Sequence, residues 1–118
     1  MKTFLTALLI CLVMPVCAQQ AITASGGTLR VLDKITGRTQ DLEFGNGQTQ
    51  TVELMAITMT ECRYPSGNQS GDAYAFLTIL YNNAADPVFR GWMIASAPAL
   101  NALDHPRYDV WALRCSSE

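Results

Sequence analysis

Phe89-Arg90-Gly91-Trp92-Met93-Ile94-Ala95-Ser96-Ala97-Pro98-Ala99-Leu100-Asn101-Ala102-Leu103-Asp104-His105-Pro106-Arg107-Tyr108-Asp109-Val110-Trp111-Ala112-Leu113-Arg114-Cys115 is the stretch that decides how this chain is read. It carries both tryptophans, the only histidine and the last cysteine. Val88 to Ser96 reads as a strand, with Gly91 marking a bulge or a close backbone approach. From Ala97 the period changes. Pro98 suits the first turn of a helix, and Leu100 and Leu103, three apart, share a face. His105 precedes Pro106 and is biased out of the helical region, which ends the turn. Tyr108 to Cys115 alternates again, with Trp111, Leu113 and Cys115 in phase. Strand, short helical turn, sharp turn, strand and cysteine follow in that order.

Working backwards, Tyr74 to Tyr81 is apolar on both faces apart from Thr78 and reads as a central strand. Between it and the strand at Val88 lies a turn, Asn82 to Pro87. Tyr64 to Asp72, rich in Pro, Ser, Gly and Asn, is the longest loop. Gln48 to Cys62 is a long β-rich stretch in which Met55, Ile57 and Met59 point one way and Thr58 and Thr60 the other. Cys62 falls out of phase with that apolar set. Either a bulge near Glu61 shifts the phase or the cysteine lies on the outer surface. Thr28 to Ile35 and Arg38 to Phe44 form a hairpin about Thr36-Gly37. Leu29, Val31 and Ile35 share one face of it, with Asp33 interrupting. The sum is an all-β, mostly antiparallel domain: a small β-sandwich or open barrel of six or seven strands with one short helical turn.

The start of the chain has a different character. Lys2, the apolar run Phe4 to Val13, Pro15 and Ala18 follow the order of a secretory signal peptide over residues 1–18, and the run is too short to span a bilayer. Val16 before Cys17 and Ile10 before Cys11 do not fit a lipid-attachment site. Residues 19–27 read as a flexible lead-in and residues 28–118 as one β domain. Removing the leader takes away Lys2 and leaves seven basic against ten acidic side chains, with neither sign in a run. Such a surface offers no electrostatic basis for binding nucleic acid or an anionic membrane. It also leaves two cysteines, Cys62 and Cys115, which in an exported chain read as one disulfide. No metal site is assigned, because two cysteines and one histidine lack zinc-ligand spacing.

The run Gly91 to Cys115, with Leu32-Asp33-Lys34-Ile35-Thr36-Gly37 and Glu61-Cys62-Arg63-Tyr64-Pro65, resembles an uncharacterised alphaproteobacterial family known as domain of unknown function 2155. The resemblance covers nearly the whole chain beyond the leader. It implies an exported, periplasmic protein with paired cysteines at these two places, and brings no activity, cofactor or substrate with it. Two departures stand out. Ser96-Ala97-Pro98 replaces the family's usual Ser-Ser-Pro, and Asp104-His105-Pro106 replaces Glu-His-Pro. If residue 97 caps the turn, the missing hydroxyl costs about 1 kcal/mol.

The candidate interaction surface is the turn, with Ser96, Pro98, Asp104, His105, Arg107, Tyr108 and Asp109. Tyr108 is the aromatic expected to be exposed there, whereas phase places Trp92 and Trp111 in the core. A Ser–His–Asp hydrolase would need Ser96, His105 and Asp104 or Asp109 to converge. No nucleophile elbow accompanies them, so no catalytic residue is assigned. A cation site from Asp33, Asp104 and Asp109 lacks any calcium-loop pattern. The expectation is a non-enzymatic binding or adaptor module of the cell envelope, acting on an envelope protein or glycan without a cofactor. The alternatives are a structural subunit of an envelope assembly and a small hydrolase using His105.

Overall fold

A computed structural model describes residues 20–116; the expected signal peptide lies outside the described residues. The chain is an antiparallel two-sheet sandwich of eight strands: β1 (Ala21–Thr23), β2 (Gly26–Asp33), β3 (Thr39–Gly45), β4 (Gln48–Val52), β5 (Met55–Pro65), β6 (Tyr74–Tyr81), β7 (Phe89–Ile94) and β8 (Tyr108–Cys115). One 3₁₀ turn, Pro98–Leu100, is the sole helical element among the described residues. Five strands make one sheet: β5, β6 and β7 lie side by side, and β4 and β1 share the far side of β5. The second sheet runs β3, β2, β8.

The strand count exceeds the expected six or seven for two reasons. The β-rich stretch 48–62 divides into the two strands of a hairpin, because Glu53 turns the chain with φ 52°. The segment 19–27, expected as a lead-in, supplies β1, whose Ala21 to Thr23 pair with Pro65 to Arg63, and the first residues of β2. Backbone pairing, not side-chain pattern, orders these residues, so no periodicity announces them. Ile35 also departs from expectation. β2 ends at Asp33, and Ile35 stands exposed in the turn.

The core lies between the sheets. Leu29, Val31, Met55, Ile57, Met59, Leu77, Ile79 and Val110 are almost wholly buried. Burial of each large side chain contributes roughly 1.5–3 kcal/mol relative to exposure. Two bulges complete the packing. In β5 the register slips between Met59 and Glu61, so Thr60 is the extra residue. In β8 it slips opposite Thr28 and Leu29, so Leu113 is the extra residue. Each bulge stands two residues before a cysteine and turns it inward. Cys62 and Cys115 then bond at 2.08 Å between sulfurs, joining the two sheets. Gly27 lies over this disulfide: a Cβ there would sit 2.8 Å from the Cys62 sulfur. Among the described residues no helix is long and apolar enough to cross a membrane.

Candidate functional site

The sandwich brings the turn before β8 against the ends of two hairpins. Asp33, the charged residue interrupting the apolar face of β2, is buried. Its Oδ1 accepts from the Ile35 and Thr36 amides at 2.9 and 3.3 Å, which folds the β2–β3 turn. Its Oδ2 accepts from Arg107 Nε and Nη2 at 3.3 and 3.1 Å. Burial pushes the Asp33 carboxyl up, but Arg107 and the two amides together hold it below the usual carboxylate range. Arg107 also reaches Glu53 Oε2 at 3.4 Å, and the Tyr108 hydroxyl donates to that same oxygen at 2.6 Å. Burial, then the bond to the Glu53 carboxylate, pushes the Tyr108 phenol up to about 12.

Glu53 holds a left-handed backbone, which costs a non-glycine residue about 1–2 kcal/mol. The side chain that this turn projects is the one that clamps Tyr108 and Arg107. His105 completes the cluster. Its Nδ1 accepts from the Arg107 and Tyr108 amides at 3.1 and 3.2 Å, so a neutral ring carries its proton on Nε2. The ring packs on Tyr81 and Tyr108, with centroids 4.4 and 5.5 Å away, and Lys34 Nζ donates to the His105 carbonyl at 2.9 Å. Beside the cluster lies a cleft of about 190 Å³ lined by Asp33, Arg38, Gln40, Glu53 and Tyr108.

The arrangement is a clasp, and it corrects the exposed placement expected of Tyr108. That side chain is 1 % exposed, because β8 turns Tyr108, Val110 and Ala112 inward. An Asp33 held ionised and a Tyr108 held protonated are both far from exchanging protons near neutral pH. Ser96 is engaged elsewhere: its hydroxyl donates to Asp72 Oδ2 at 2.5 Å and its amide to Oδ1 at 2.9 Å. Ser96 and His105 therefore have separate partners. Asp104 is exposed, while Pro98 and Asp109 line a cleft of about 360 Å³ with Trp111. Ala97 caps the 3₁₀ turn without a side-chain bond, as expected where serine is missing. Among the described residues no three His, Cys, Asp or Glu side chains gather as a metal site.

A second surface lies outside the sequence-derived set. Trp92 and Trp111 are half-buried on outer faces rather than core residues. Their phase was legible, but β7 and β8 turn Phe89, Met93, Val110 and Ala112 inward instead. On the outer face of the five-stranded sheet, register aligns Arg63, Tyr74 and Ile94 in one row and Glu61, Phe76 and Trp92 in the next. Phe76 meets Trp92 edge to face at 5.2 Å, and the Arg63 guanidinium sits 5.2 Å over the Trp92 ring. Ala21, Arg63, Tyr74, Trp92 and Ile94 line an open apolar cleft of about 350 Å³. The signal for this face was present in β6, which reads apolar on both sides.

The family model described as "Uncharacterized protein conserved in bacteria (DUF2155)" matches residues 27–115. The "Uncharacterized protein RP359" of Rickettsia prowazekii (strain Madrid E) is 28% identical over 94 residues, covering 77% of this chain and 61% of the relative. The chain thus spans about three-fifths of the length of the curated relative it matches. No solved structure matches it.

Proposed function

The chain belongs to this DUF2155 family of uncharacterised bacterial proteins, and from that premise we propose that it is an exported, periplasmic binding or adaptor module of the cell envelope, without catalytic activity of its own. Export is supported by the leader-like order of residues 1–18 and by the Cys62–Cys115 disulfide, a bond that persists in oxidising compartments. The observation that carries the binding role is the outer face of the five-stranded sheet. Tyr74, Phe76, Trp92 and Ile94 lie there side by side with Arg63, in the residue types that anchor protein interfaces. The turn residues that the sequence singled out support this face indirectly: Arg107, Tyr108 and His105 spend their polar groups inside the molecule.

Affinity capture from a native envelope extract tests the reading. Wild type is compared with a Tyr74→Ala/Trp92→Ala variant and with an Asp104→Ala variant. A component retained by wild type and by the Asp104 variant, and lost from the aromatic variant, is the expected result. Equal retention by all three, or none by any, would sink it.

A further inference from the structure

The geometry points to a second binding site, at the edge of the three-stranded sheet. The cleft between β8 and the segment 97–104 takes a short extended peptide carrying a lysine or arginine, added as an antiparallel strand beside β8. This goes beyond the aromatic face proposed above, which lies on the other sheet.

The backbone of β8 supplies the first argument. β8 is an edge strand of its sheet. At its start the Lys34 amide donates to the Arg107 carbonyl at 2.7 Å. Ladder bonds in an antiparallel pair alternate along the strand. The pairs Leu32–Asp109 and Arg30–Trp111 therefore exchange bonds, and Val31–Val110 does not. The Val110 amide and carbonyl point away from β2, toward the open edge. The Tyr108 amide has the same phase, and His105 Nδ1 accepts it at 3.2 Å. No loop or side chain among the described residues takes the Val110 pair. The Val110 side chain is buried in the core, so what it gives the cleft is backbone. An added strand is the partner that such a pair matches.

The facing wall leaves that pair untouched and is held in place. Pro98 has no amide N–H, and Ala99 and Ala102 carry only methyl groups. Asn101 Nδ2 donates to the Trp92 carbonyl at 2.9 Å and the Ala97 amide to the Ile94 carbonyl at 3.2 Å, while Leu103 is buried. The cleft of about 360 Å³ between wall and strand is thus built before a ligand enters.

Charge selects the side chain. Asp109 and Trp111 flank Val110, line the cleft and are both half-buried. Asp109 has no hydrogen bond or ion pair among the described residues, and Trp111 no ring or cation contact. Nearby cations are engaged elsewhere. Arg30 holds Asp41 at 2.8 and 3.0 Å, Lys34 Nζ gives to the His105 carbonyl, and Arg107 holds Asp33 and Glu53. Asp109 is therefore the one charge lining the cleft, and it is negative. A strand beside β8 sends alternate side chains to this face. In the antiparallel direction one residue exchanges both bonds with Val110, the residue before it meets Trp111 and the residue after it meets Asp109. An apolar side chain suits the first place. A lysine or arginine suits the second, its stem lying along the alanine wall.

Titration of blocked pentapeptides into protein purified from cells expressing the full chain, followed by amide and indole NMR shifts, tests the proposal. The probes are Ala-Leu-Thr-Lys-Ala, the same peptide with glutamate for lysine, and the same peptide N-methylated at threonine. The lysine peptide is expected to shift the Val110 amide and the Trp111 indole saturably. Asp109→Asn weakens it about fivefold, as loss of an ion pair near the surface does, and does not weaken the glutamate peptide. N-methylation weakens it about tenfold, because the bond to the Val110 carbonyl is lost. Asp109→Asn breaks no bond of the folded chain, so its effect cannot be ascribed to unfolding. No saturable shift at Val110 and Trp111 overturns the proposal, as does a glutamate or N-methyl peptide bound equally well. Shifts confined to the Trp92 face also overturn it, while leaving the binding-module reading intact. A chitotriose probe that moves these signals when the lysine peptide does not would assign the cleft to a glycan instead.

Discussion

Replacing Tyr108 by Phe tests whether the clasp at the end of the sandwich stabilises the fold. The ring stays, so its packing between His105, Tyr81 and Arg107 is kept. What goes is one hydroxyl bond of 2.6 Å to the Glu53 carboxylate. A hydrogen bond to a charged group contributes about 1.5–3 kcal/mol. The Glu53 side chain is 46 % exposed, so water can reach the freed oxygen and the low end applies, about 1.5 kcal/mol. For a domain of this size that is a fall in Tm of roughly 6–12 °C. A pH dependence comes with it. The unfolded tyrosine loses its proton near 10, whereas the buried one holds it to about 12. Between those values the unfolded state binds fewer protons, so stability falls as pH rises. The phenol's contribution is fully present below about 10 and is lost through the folded value near 12. Thermal melts followed by circular dichroism from neutral to alkaline pH should therefore show a gap between wild type and variant that narrows above pH 10. Equal melting at neutral pH, or a gap constant through the alkaline range, would refute the reasoning.

Two further outcomes follow from the same geometry. Reducing the Cys62–Cys115 bond, which spans a sequence separation of 53, should cost roughly 4 kcal/mol in the chain-entropy account. An unfolding midpoint in denaturant that ignores reductant would contradict this. At the acid end, Asp33 and Asp72 both have folded pKa values held below the ordinary one. Their stabilisation is present above the unfolded value near 4 and is lost as pH falls through the folded values. Asp33→Asn should flatten that acid limb in pH-dependent melts; a limb of unchanged slope would show that Asp33 is not its source.

The aromatic face and the clasp differ in how they could be found. The clasp had a visible marker in Asp33, a charge set into the apolar face of a strand, which burial forces to seek a partner. Its partner Arg107 was already among the turn residues. Glu53 had no marker: its stretch read as a long β-rich run without a turn signal, and the turn that aims its side chain is visible only in the backbone. Trp92 was placed in the right phase and on the wrong side. Phase separates the two faces of a strand but does not say which face another sheet will cover.

The chain by itself determined the all-β class, the hairpin of β2 and β3, the order strand, turn, strand over residues 89–115 and the pairing of Cys62 with Cys115. Those follow from period-two alternation, turn residues and cysteine count, which are local properties. Tertiary structure alone decided the two bulges that turn the cysteines inward, the capture of residues 21–23 by β5, and the choice of Tyr108 over Trp111 for the core. Each depends on where a distant strand lies. A one-residue slip in register exchanges the two faces of a strand, and only the packed sheets set that register.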